Sequence, residues 1–191
     1  IILASQSKVR KKILEDHGIK CKVQPSYIDE DAIKENLSKQ KASPEIVSKN
    51  LAELKSNKIS QKFPESFVIG ADSVIDLKGE VISKPENRKE ALVILKNLNG
   101  KTHFLISSVC ISKDGSMIWN YTDKAALTMK EMSNEELELY LSKISDDDLF
   151  AYNVYQIEGI GRSLFSKIEG NENTIMGLPV EKIKEFLSNY K

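Results

Sequence analysis

Short apolar runs alternate with capped amphipathic segments along this chain, and this alternation restricts the fold more than any single motif does. Residues 1–4 and 67–70 have the composition of buried strands, whereas residues 43–60 start with Ser-Pro and carry apolar residues at helical spacing. Turns between strands are expected within residues 78–79 and 113–116. Hairpins combined with strand–helix alternation predict an α/β protein with a mixed β-sheet and flanking helices.

Three further segments are interpreted from local pattern alone. In the long helix, Val47, Leu51 and Leu54 are expected to form the apolar stripe that packs on the sheet. Residues 145–153 are interpreted as an acidic loop, and residues 155–170 as a strand region interrupted by glycines. The interpretation of each segment rests on composition within a few residues, so long-range contacts can change it.

Composition restricts the classes of partner. Lysine plus arginine and aspartate plus glutamate both number 28, so no global charge draws the chain to nucleic acid or to a membrane surface. No apolar run approaches the roughly 20 residues that span a bilayer, and the short apolar start is not expected to be a signal peptide. Cys21 and Cys110 have no partner spacing, which favours reduced thiols and a cytoplasmic location. We expect one domain, 1–191, with a second lobe around residues 100–150 as an open alternative.

The first candidate site is the stretch IILASQSKVRKKIL, in which a strand leads directly into hydroxyls and cations. Ser5 and Ser7 stand at the expected N-terminus of a helix, where backbone N–H groups attract anions. Four cations follow within five residues: Lys8, Arg10, Lys11 and Lys12. One interpretation is a phosphate-binding loop, and the other is an ordinary helix cap at Ser7 with a solvated basic face.

The helix dipole bears on that choice. Cations in a first helical turn cost roughly 0.3–1 kcal/mol each, so a helix selected for stability alone would carry acids there. This placement predicts that Arg10 and Lys11 are positioned for a bound anion. It also predicts that the protein without ligand gains no stability from Arg10.

Three more side chains are candidates because of their position relative to strands. Asp72 interrupts the apolar run of VIGADSVI, and a buried aspartate is costly unless it is paired or binds a metal. It lies either at a strand end in a cleft or at a hairpin edge, and spacing alone does not choose. Lys84 precedes Pro85, whose rigid extended step could aim it at a phosphate, although a surface lysine is the simpler interpretation. Lys55, next to Leu54, is equally consistent with packing at the rim of the helix stripe.

A fourth candidate region is rich in glycine. Glu158 stands beside Gly159 in YQIEGIG, where its carboxylate could bind a metal ion or water. Gly161, Gly170 and Gly177 permit tight turns or close approach of the backbone to a flat ligand. The chain contains no P-loop pattern, and GIGR is too short to be a dinucleotide-binding fingerprint.

Taken in order, these stretches resemble the Maf family, the nucleoside triphosphate pyrophosphatases associated with septum formation. The family pattern runs LASxSPRRxxLL, LAxxKA, GADTVV, KPxxxxEAxxML, LSGxxHxVxT, YxxxGxG and IxGDxxxVxGLP. This chain has LASQSKVRKKIL, LAELKS, GADSVI, KPENRKEALVIL, LNGKTHFLIS, YQIEGIG and IEGNENTIMGLP. The resemblance covers almost the whole length.

The resemblance implies an elongated mixed sheet with two lobes around a cleft, similar to inosine triphosphatases. It implies a hydrolase of phosphate anhydrides that cleaves nucleoside triphosphates between the α- and β-phosphates, with Mg²⁺ or Mn²⁺ as cofactor. By resemblance, the catalytic residues are Asp72, Lys84 and Lys55, and the metal ligands are Asp72 and Glu158. The residues that bind substrate are Ser5, Ser7, Arg10, Lys11 and Glu158.

The chain departs from the family pattern at several positions. Lys8 and Val9 replace the proline and first arginine of SPRR, and Asn171 replaces the aspartate of IxGD. The resemblance leaves the base open, because the family has members that act on dTTP and UTP and others that prefer 7-methyl-GTP. The alternative function is a catalytically weak, nucleotide-binding regulator of septum formation, and a homodimer is an open alternative to a monomer.

Overall fold

A computed structural model describes residues 1–190, with residues 150–152 described by their backbone only. Within that range, seven strands form one mixed sheet in the order β2-β1-β3-β5-β6-β7, and β4 pairs with β3 outside this order. The strands are β1 Ile2–Leu3, β2 Lys22–Val23, β3 Val68–Leu77, β4 Glu80–Ile82, β5 Thr102–Lys113, β6 Ser116–Met129 and β7 Phe165–Glu169.

Helices flank the sheet, and two of them begin at the caps that the sequence predicts. They are α1 Lys8–Asp16, α2 Glu30–Lys39, α3 Pro44–Ser60, α4 Arg88–Leu98, α5 Asn134–Ser142, α6 Asp146–Tyr152, α7 Glu172–Ile175 and α8 Val180–Asn189, with a 3₁₀-helix at Ile160–Leu164. Ser7 and Ser43 accept hydrogen bonds from the backbone N–H groups of the first turns of α1 and α3. Ser133 forms a capping box with Glu136 at the start of α5.

The mixed sheet that the sequence predicts is confirmed. The strands β2, β1 and β3 run parallel, whereas β5, β6 and β7 add to β3 in antiparallel order. Both expected hairpin turns contain two consecutive residues with positive φ: Lys78 (57°) with Gly79 (89°), and Asp114 (49°) with Gly115 (77°). Such turns match the twist of the flanking strands, so these local signals were sufficient to place the hairpins.

Side chains of β3 alternate between two packed faces of the sheet. Ile69 packs with Leu14 of α1 and Ile183 of α8 on one face. On the other face, Val74 packs with Leu51 of α3. Because the period of a strand is two residues, neighbouring positions in the middle of β3 face opposite layers of helix.

The close contact between α3 and β3 depends on Gly70. A Cβ atom built there would lie 2.1 Å from the carbonyl oxygen of Ala52 and 2.7 Å from the backbone nitrogen of Ser56. No side chain fits in that space, so the glycine lets the helix backbone approach the strand directly. The approach brings the following turn of α3, which carries Lys55, against the middle of β3.

The stripe predicted for α3 is wrong at one position. Leu54 is 41% exposed, whereas Lys55 is only 6% exposed. The buried row continues from Val47 and Leu51 by steps of four residues, which places Lys55 rather than Leu54 against the sheet. An amphipathic pattern assigns apolar residues to the core, and here a charged residue with buried partners takes that place.

Two other segments differ from their interpretation by sequence. The supposed acidic loop forms α6, capped by Ser145, because three aspartates in a first turn favour a helix through its dipole. The supposed strand region contains the 3₁₀-helix Ile160–Leu164 before β7 begins at Phe165. Asp72 lies at neither a strand end nor a hairpin edge, because β3 continues without a break through it.

The long strands β5 and β6 belong to the same sheet as β3. The division into one domain, 1–191, or into a domain with a second lobe around residues 100–150 stays a prediction. Over the part of the chain that the structure describes, no helix has both the length and the apolarity that crossing a membrane requires.

The contact at Gly70 leads to a prediction about stability. We expect Gly70→Ala to lower the free energy of unfolding by about 1–3 kcal/mol, because the new methyl group overlaps backbone atoms of α3 that cannot move independently. Urea unfolding measures the effect. Gly159→Ala is the control, because a Cβ at Gly159 meets its nearest atoms only at 3.8 Å. Equal unfolding midpoints for the two variants would contradict this account of the packing.

Candidate functional site

One cavity of about 730 Å³ gathers most of the residues that the sequence predicts for a site. The volume lies within the range of about 300–1,000 Å³ that is usual for small-molecule sites. The predicted residues that line it are Ser5, Ser7, Arg10, Lys55, Asp72, Lys84 and Glu158. Segments that are more than 150 residues apart in the sequence therefore meet at the wall of one cavity, as the motifs predict.

Lys11 does not line this cavity with the others. Its ammonium lies 3.5 Å from the carboxylate of Glu15 one turn further along α1, and both side chains are about half exposed. Lys8 lines the cavity in its place. This placement gives no support to the expectation that Lys11 is positioned for a bound anion.

The centre of the site is a buried ammonium between two carboxylates. The Nζ atom of Lys55 lies 2.7 Å from Oδ1 of Asp72 and 2.8 Å from Oε1 of Glu30. Lys55 and Asp72 are 6% and 5% exposed, so neither charge would be stable there without the other. Burial alone would raise the pKa of Glu30, but attraction and hydrogen bonding to Lys55 outweigh it and hold that pKa below its ordinary value.

The second oxygen of Asp72 is different from the first. Among the described residues, Oδ2 of Asp72 is buried and has no hydrogen-bond partner. A buried carboxylate oxygen without a partner is rare in native proteins and often marks a place where water or an ion belongs. Asp72 thus has one oxygen held by Lys55 and one oxygen available for chemistry.

The donor set suits a hard cation only if a ligand adds oxygen atoms. Asp72 and Glu158 both line the cavity, and Glu158 is exposed. Within residues 1–190, no three carboxylate, histidine or cysteine side chains come close enough to hold one ion by themselves. Mg²⁺ usually binds through one or two carboxylates together with substrate phosphates and water, so the residues present fit that mode.

Arg10 makes four hydrogen bonds inside the protein. Its Nε donates to the carbonyl of Gly177 at 2.9 Å, and Nη1 donates to the carbonyl of Ala71 at 2.9 Å and to Oγ of Ser5 at 3.4 Å. Nη2 donates to Oγ of Ser73 at 3.2 Å. Desolvation lowers the pKa of Arg10, while Asp72 and Glu30 act in the opposite direction.

These contacts bear on one expectation from the sequence. The helix-dipole argument predicts that Arg10 adds nothing to the stability of the protein without ligand. The contacts favour the opposite outcome, since the guanidinium joins α1 to β3 and to the segment that ends at Gly177. The side chain extends away from the helix end to acceptors that no local pattern reveals.

Further cations complete the wall of the cavity. Desolvation is the first cause that lowers the pKa of Lys84, while the neighbouring Glu30 and Asp72 raise it and Arg10 and Lys34 lower it further. The cations that line the cavity are Lys8, Arg10, Lys34, Lys55 and Lys84. Carboxylates line it too: Glu30, Asp72, Asp147, Asp148 and Glu158. Five cations and five carboxylates therefore line the same cavity.

Sequence reasoning missed two contributors to the site, Glu30 and Ser73, and named a third, Gly177, only as a glycine that permits a turn or a close approach. Glu30 shares Lys55 with Asp72, but in the sequence it is one acid among several at the start of α2. Ser73 follows Asp72 directly and binds Arg10. Gly177 has a φ of +97°, and a Cβ there would lie 3.1 Å from Oγ of Ser73 and 3.4 Å from the guanidinium. The GLP motif was the signal for Gly177, and only tertiary contact could reveal the other two.

The fold and the cavity define an α/β protein in which several cations and one buried, half-satisfied carboxylate meet. Such a set of side chains suits a ligand that carries phosphate groups. The chain belongs to the Maf family, because the family model "Maf-like protein" matches residues 1–190.

Two relatives that are similar in sequence over almost the whole chain agree with that assignment. A protein from Pelagibacter ubique (strain HTCC1062) named "Nucleoside triphosphate pyrophosphatase" is 71% identical over 191 residues, which cover 100% of this chain and 98% of that one. A "7-methyl-GTP pyrophosphatase" from Rhizobium etli is 38% identical over 180 residues, 94% of this chain and 90% of that one. The solved structure of the Staphylococcus aureus Ham1 protein has a TM-score of 0.38 and 16% identity, over 70% of this chain and 71% of that one.

The contacts of Arg10 predict the opposite of the helix-dipole argument. We expect Arg10→Met to lower the free energy of unfolding of the ligand-free protein by about 1.5–3 kcal/mol, because carbonyl and hydroxyl acceptors lose a charged donor. Lys11→Met is the matched control on the same helix, since it removes a charge that only an exposed pair with Glu15 compensates. Urea unfolding without ligand compares the two. If Arg10→Met is no less stable than Lys11→Met, Arg10 has no structural role.

Proposed function

We propose that this chain hydrolyses nucleoside triphosphates at the bond between the α- and β-phosphates, with a nucleoside monophosphate and pyrophosphate as products. The observation that carries the proposal is the meeting of Asp72, paired with Lys55 through one oxygen, with a wall of cations in one cavity. The names of the relatives from Pelagibacter ubique and Rhizobium etli support the same class of reaction.

The cations are proposed to hold the phosphate chain. A triphosphate carries several negative charges at neutral pH, so fixed positive charges on Arg10, Lys84 and Lys34 can neutralise it. Ser5 accepts hydrogen bonds from the N–H of Ser7 and from Arg10, which leaves its own O–H to donate to a phosphate oxygen. Charge that develops on the phosphate oxygens and on the leaving pyrophosphate meets donors that are already in place.

Asp72 is proposed to act on the attacking water. Lys55 holds Oδ1, which fixes the orientation of the carboxylate. Oδ2, without a partner among the described side chains, is the atom that accepts a proton from water as the water attacks the α-phosphorus. Glu30 binds the same ammonium, so Lys55 is held between two carboxylates.

A divalent cation, Mg²⁺ or Mn²⁺, is proposed as the cofactor. Asp72 would hold it from the protein side, with Glu158 as a second carboxylate on the same cavity wall. When bound, the ion would neutralise phosphate oxygens and thereby favour charge build-up in the transition state.

The departures from the family pattern are compatible with an active enzyme. Lys8 lines the cavity, so a cation is retained in that part of the loop. Asn171 caps α7, because its Oδ1 accepts hydrogen bonds from the N–H groups of Asn173 and Thr174. Asparagine and aspartate are equivalent in that role, so this replacement leaves the geometry of the cap unchanged.

The direct test is a panel of triphosphates that includes dTTP, UTP, GTP and 7-methyl-GTP, with Mg²⁺ or Mn²⁺. We expect release of pyrophosphate together with the monophosphate, and not of orthophosphate with the diphosphate. The ratio of kcat/KM values across the panel identifies the preferred base. Tight triphosphate binding with no product from any member would favour the alternative, a nucleotide-binding regulator.

Asp72→Asn separates chemistry from binding. We expect a loss of about 10²-fold or more in kcat, because the amide cannot accept the proton of water, with little change in triphosphate affinity. Asp76→Asn is the matched control: Asp76 is buried on the same strand, accepts the N–H of Gly79 and does not line the cavity. If Asp72→Asn turns over as fast as Asp76→Asn, another carboxylate is the base, with Glu158 the first to test.

A further inference from the structure

A chain of hydroxyl groups leads from Arg10 into the interior of the sheet. Oγ of Ser73 lies 3.2 Å from Nη2 of Arg10 and 2.7 Å from Oγ of Ser107, its direct neighbour across β3 and β5. Oγ of Ser107 lies 2.7 Å from the carbonyl oxygen of Thr174 in α7. Ser107 and Thr174 are completely buried, and neither lines the cavity.

The groups at the two ends of this series of hydroxyls fix the direction of its hydrogen bonds. Arg10 can only donate, so Ser73 accepts from it. The carbonyl of Thr174 can only accept, so the single O–H of Ser107 donates to it. Ser107 must then accept from Ser73, and every hydroxyl proton in the chain is assigned. The guanidinium is therefore held by an ordered series of donors that ends on a backbone oxygen.

The terminal acceptor belongs to a segment that also binds Arg10 directly. Gly177, three residues after Thr174, accepts from Nε of Arg10. The segment is held at its start by the Asn171 cap and at Thr174 by a 2.5 Å hydrogen bond from Oγ1 to Oδ2 of Asp123 in β6. The IEGNENTIMGLP motif thus supplies two fixed acceptors. The carbonyl of Gly177 binds Arg10 directly, and the carbonyl of Thr174 binds it through Ser107 and Ser73.

We propose that Ser107 is a positioning residue, which acts through Ser73 to fix the Arg10 guanidinium for phosphate binding. The inference rests on the proposed function, because it assigns Arg10 to the phosphate chain. Without the acceptor at Ser107, the hydroxyl of Ser73 is free to rotate. Nη2 of Arg10 then loses an oriented partner.

The neighbouring Ser108 provides a matched control. It is also completely buried on β5, and its Oγ lies 2.8 Å from Oγ1 of Thr122. Successive residues of a strand face opposite sides, so Ser108 lies on the α3 side, away from Ser73. Replacing either serine by alanine removes one buried hydroxyl. That hydroxyl has two hydrogen-bonded partners at Ser107 and one at Ser108, so the stability cost should be somewhat larger for Ser107→Ala.

The experiment measures kcat, KM and the dissociation constant of inorganic triphosphate for Ser107→Ala and Ser108→Ala. We expect Ser107→Ala to raise both KM and the dissociation constant of inorganic triphosphate by about tenfold, with kcat nearly unchanged. Ser108→Ala should bind inorganic triphosphate like the wild type. In an Arg10→Met background, Ser107→Ala should cause no further loss of affinity. If Ser107→Ala does not fold, Ser107→Cys, which retains a weak donor of similar size, replaces it.

Two results would overturn the inference. One is equal binding by the Ser107 and Ser108 variants, and the other is a full additional loss in the Arg10→Met background. Either leaves the proposed function intact as long as the wild-type protein releases pyrophosphate. A wild-type protein that binds inorganic triphosphate but releases no pyrophosphate would instead contradict the proposed function, and the binding comparison of the two serine variants still decides the role of Ser107.

Discussion

The ammonium of Lys55 lies between the carboxylates of Asp72 and Glu30, and the arrangement of the cavity depends on this ion cluster. A lysine is this deeply buried only when its charge is compensated, which the two carboxylates do at 2.7 and 2.8 Å. The cluster forms because Gly70 lets α3 approach β3 more closely than any side chain would allow. One residue without a side chain thus determines where the central charge of the site lies.

Consecutive residues of β3 connect the two halves of the site. Asp72 faces α3 and pairs with Lys55, while Ser73 faces the opposite layer and accepts from Arg10. Because side chains alternate along a strand, one dipeptide carries both the carboxylate proposed to act on water and the hydroxyl that supports the arginine proposed to bind phosphate. Ser107 on β5 extends that support to α7, so the rigid centre of the sheet fixes both groups relative to each other.

Local signals predicted much of the fold, and motif order predicted most of the cavity. Caps and hairpins depend on a few adjacent residues, so they could be read directly. The burial of Lys55 could not, because a helical pattern gives no sign of carboxylates that arrive from other segments. The acceptors of Arg10 could not be predicted for the same reason: the helix dipole acts within one turn, whereas Ala71 and Gly177 are distant in sequence. The three aspartates after Ser145 were a helix signal that was interpreted as a loop.

The most direct test of the account is a double-mutant cycle on kcat for pyrophosphate release with Lys55→Met, Asp72→Asn and the double variant, each checked for folding by urea unfolding. If Lys55 acts by holding the carboxylate of Asp72 in place, the two residues work as a unit, and the double variant should be no slower than the slower single variant. If the two losses multiply, Lys55 and Asp72 contribute independently, and the pairing of Lys55 with Asp72 is not what prepares the carboxylate to act on water.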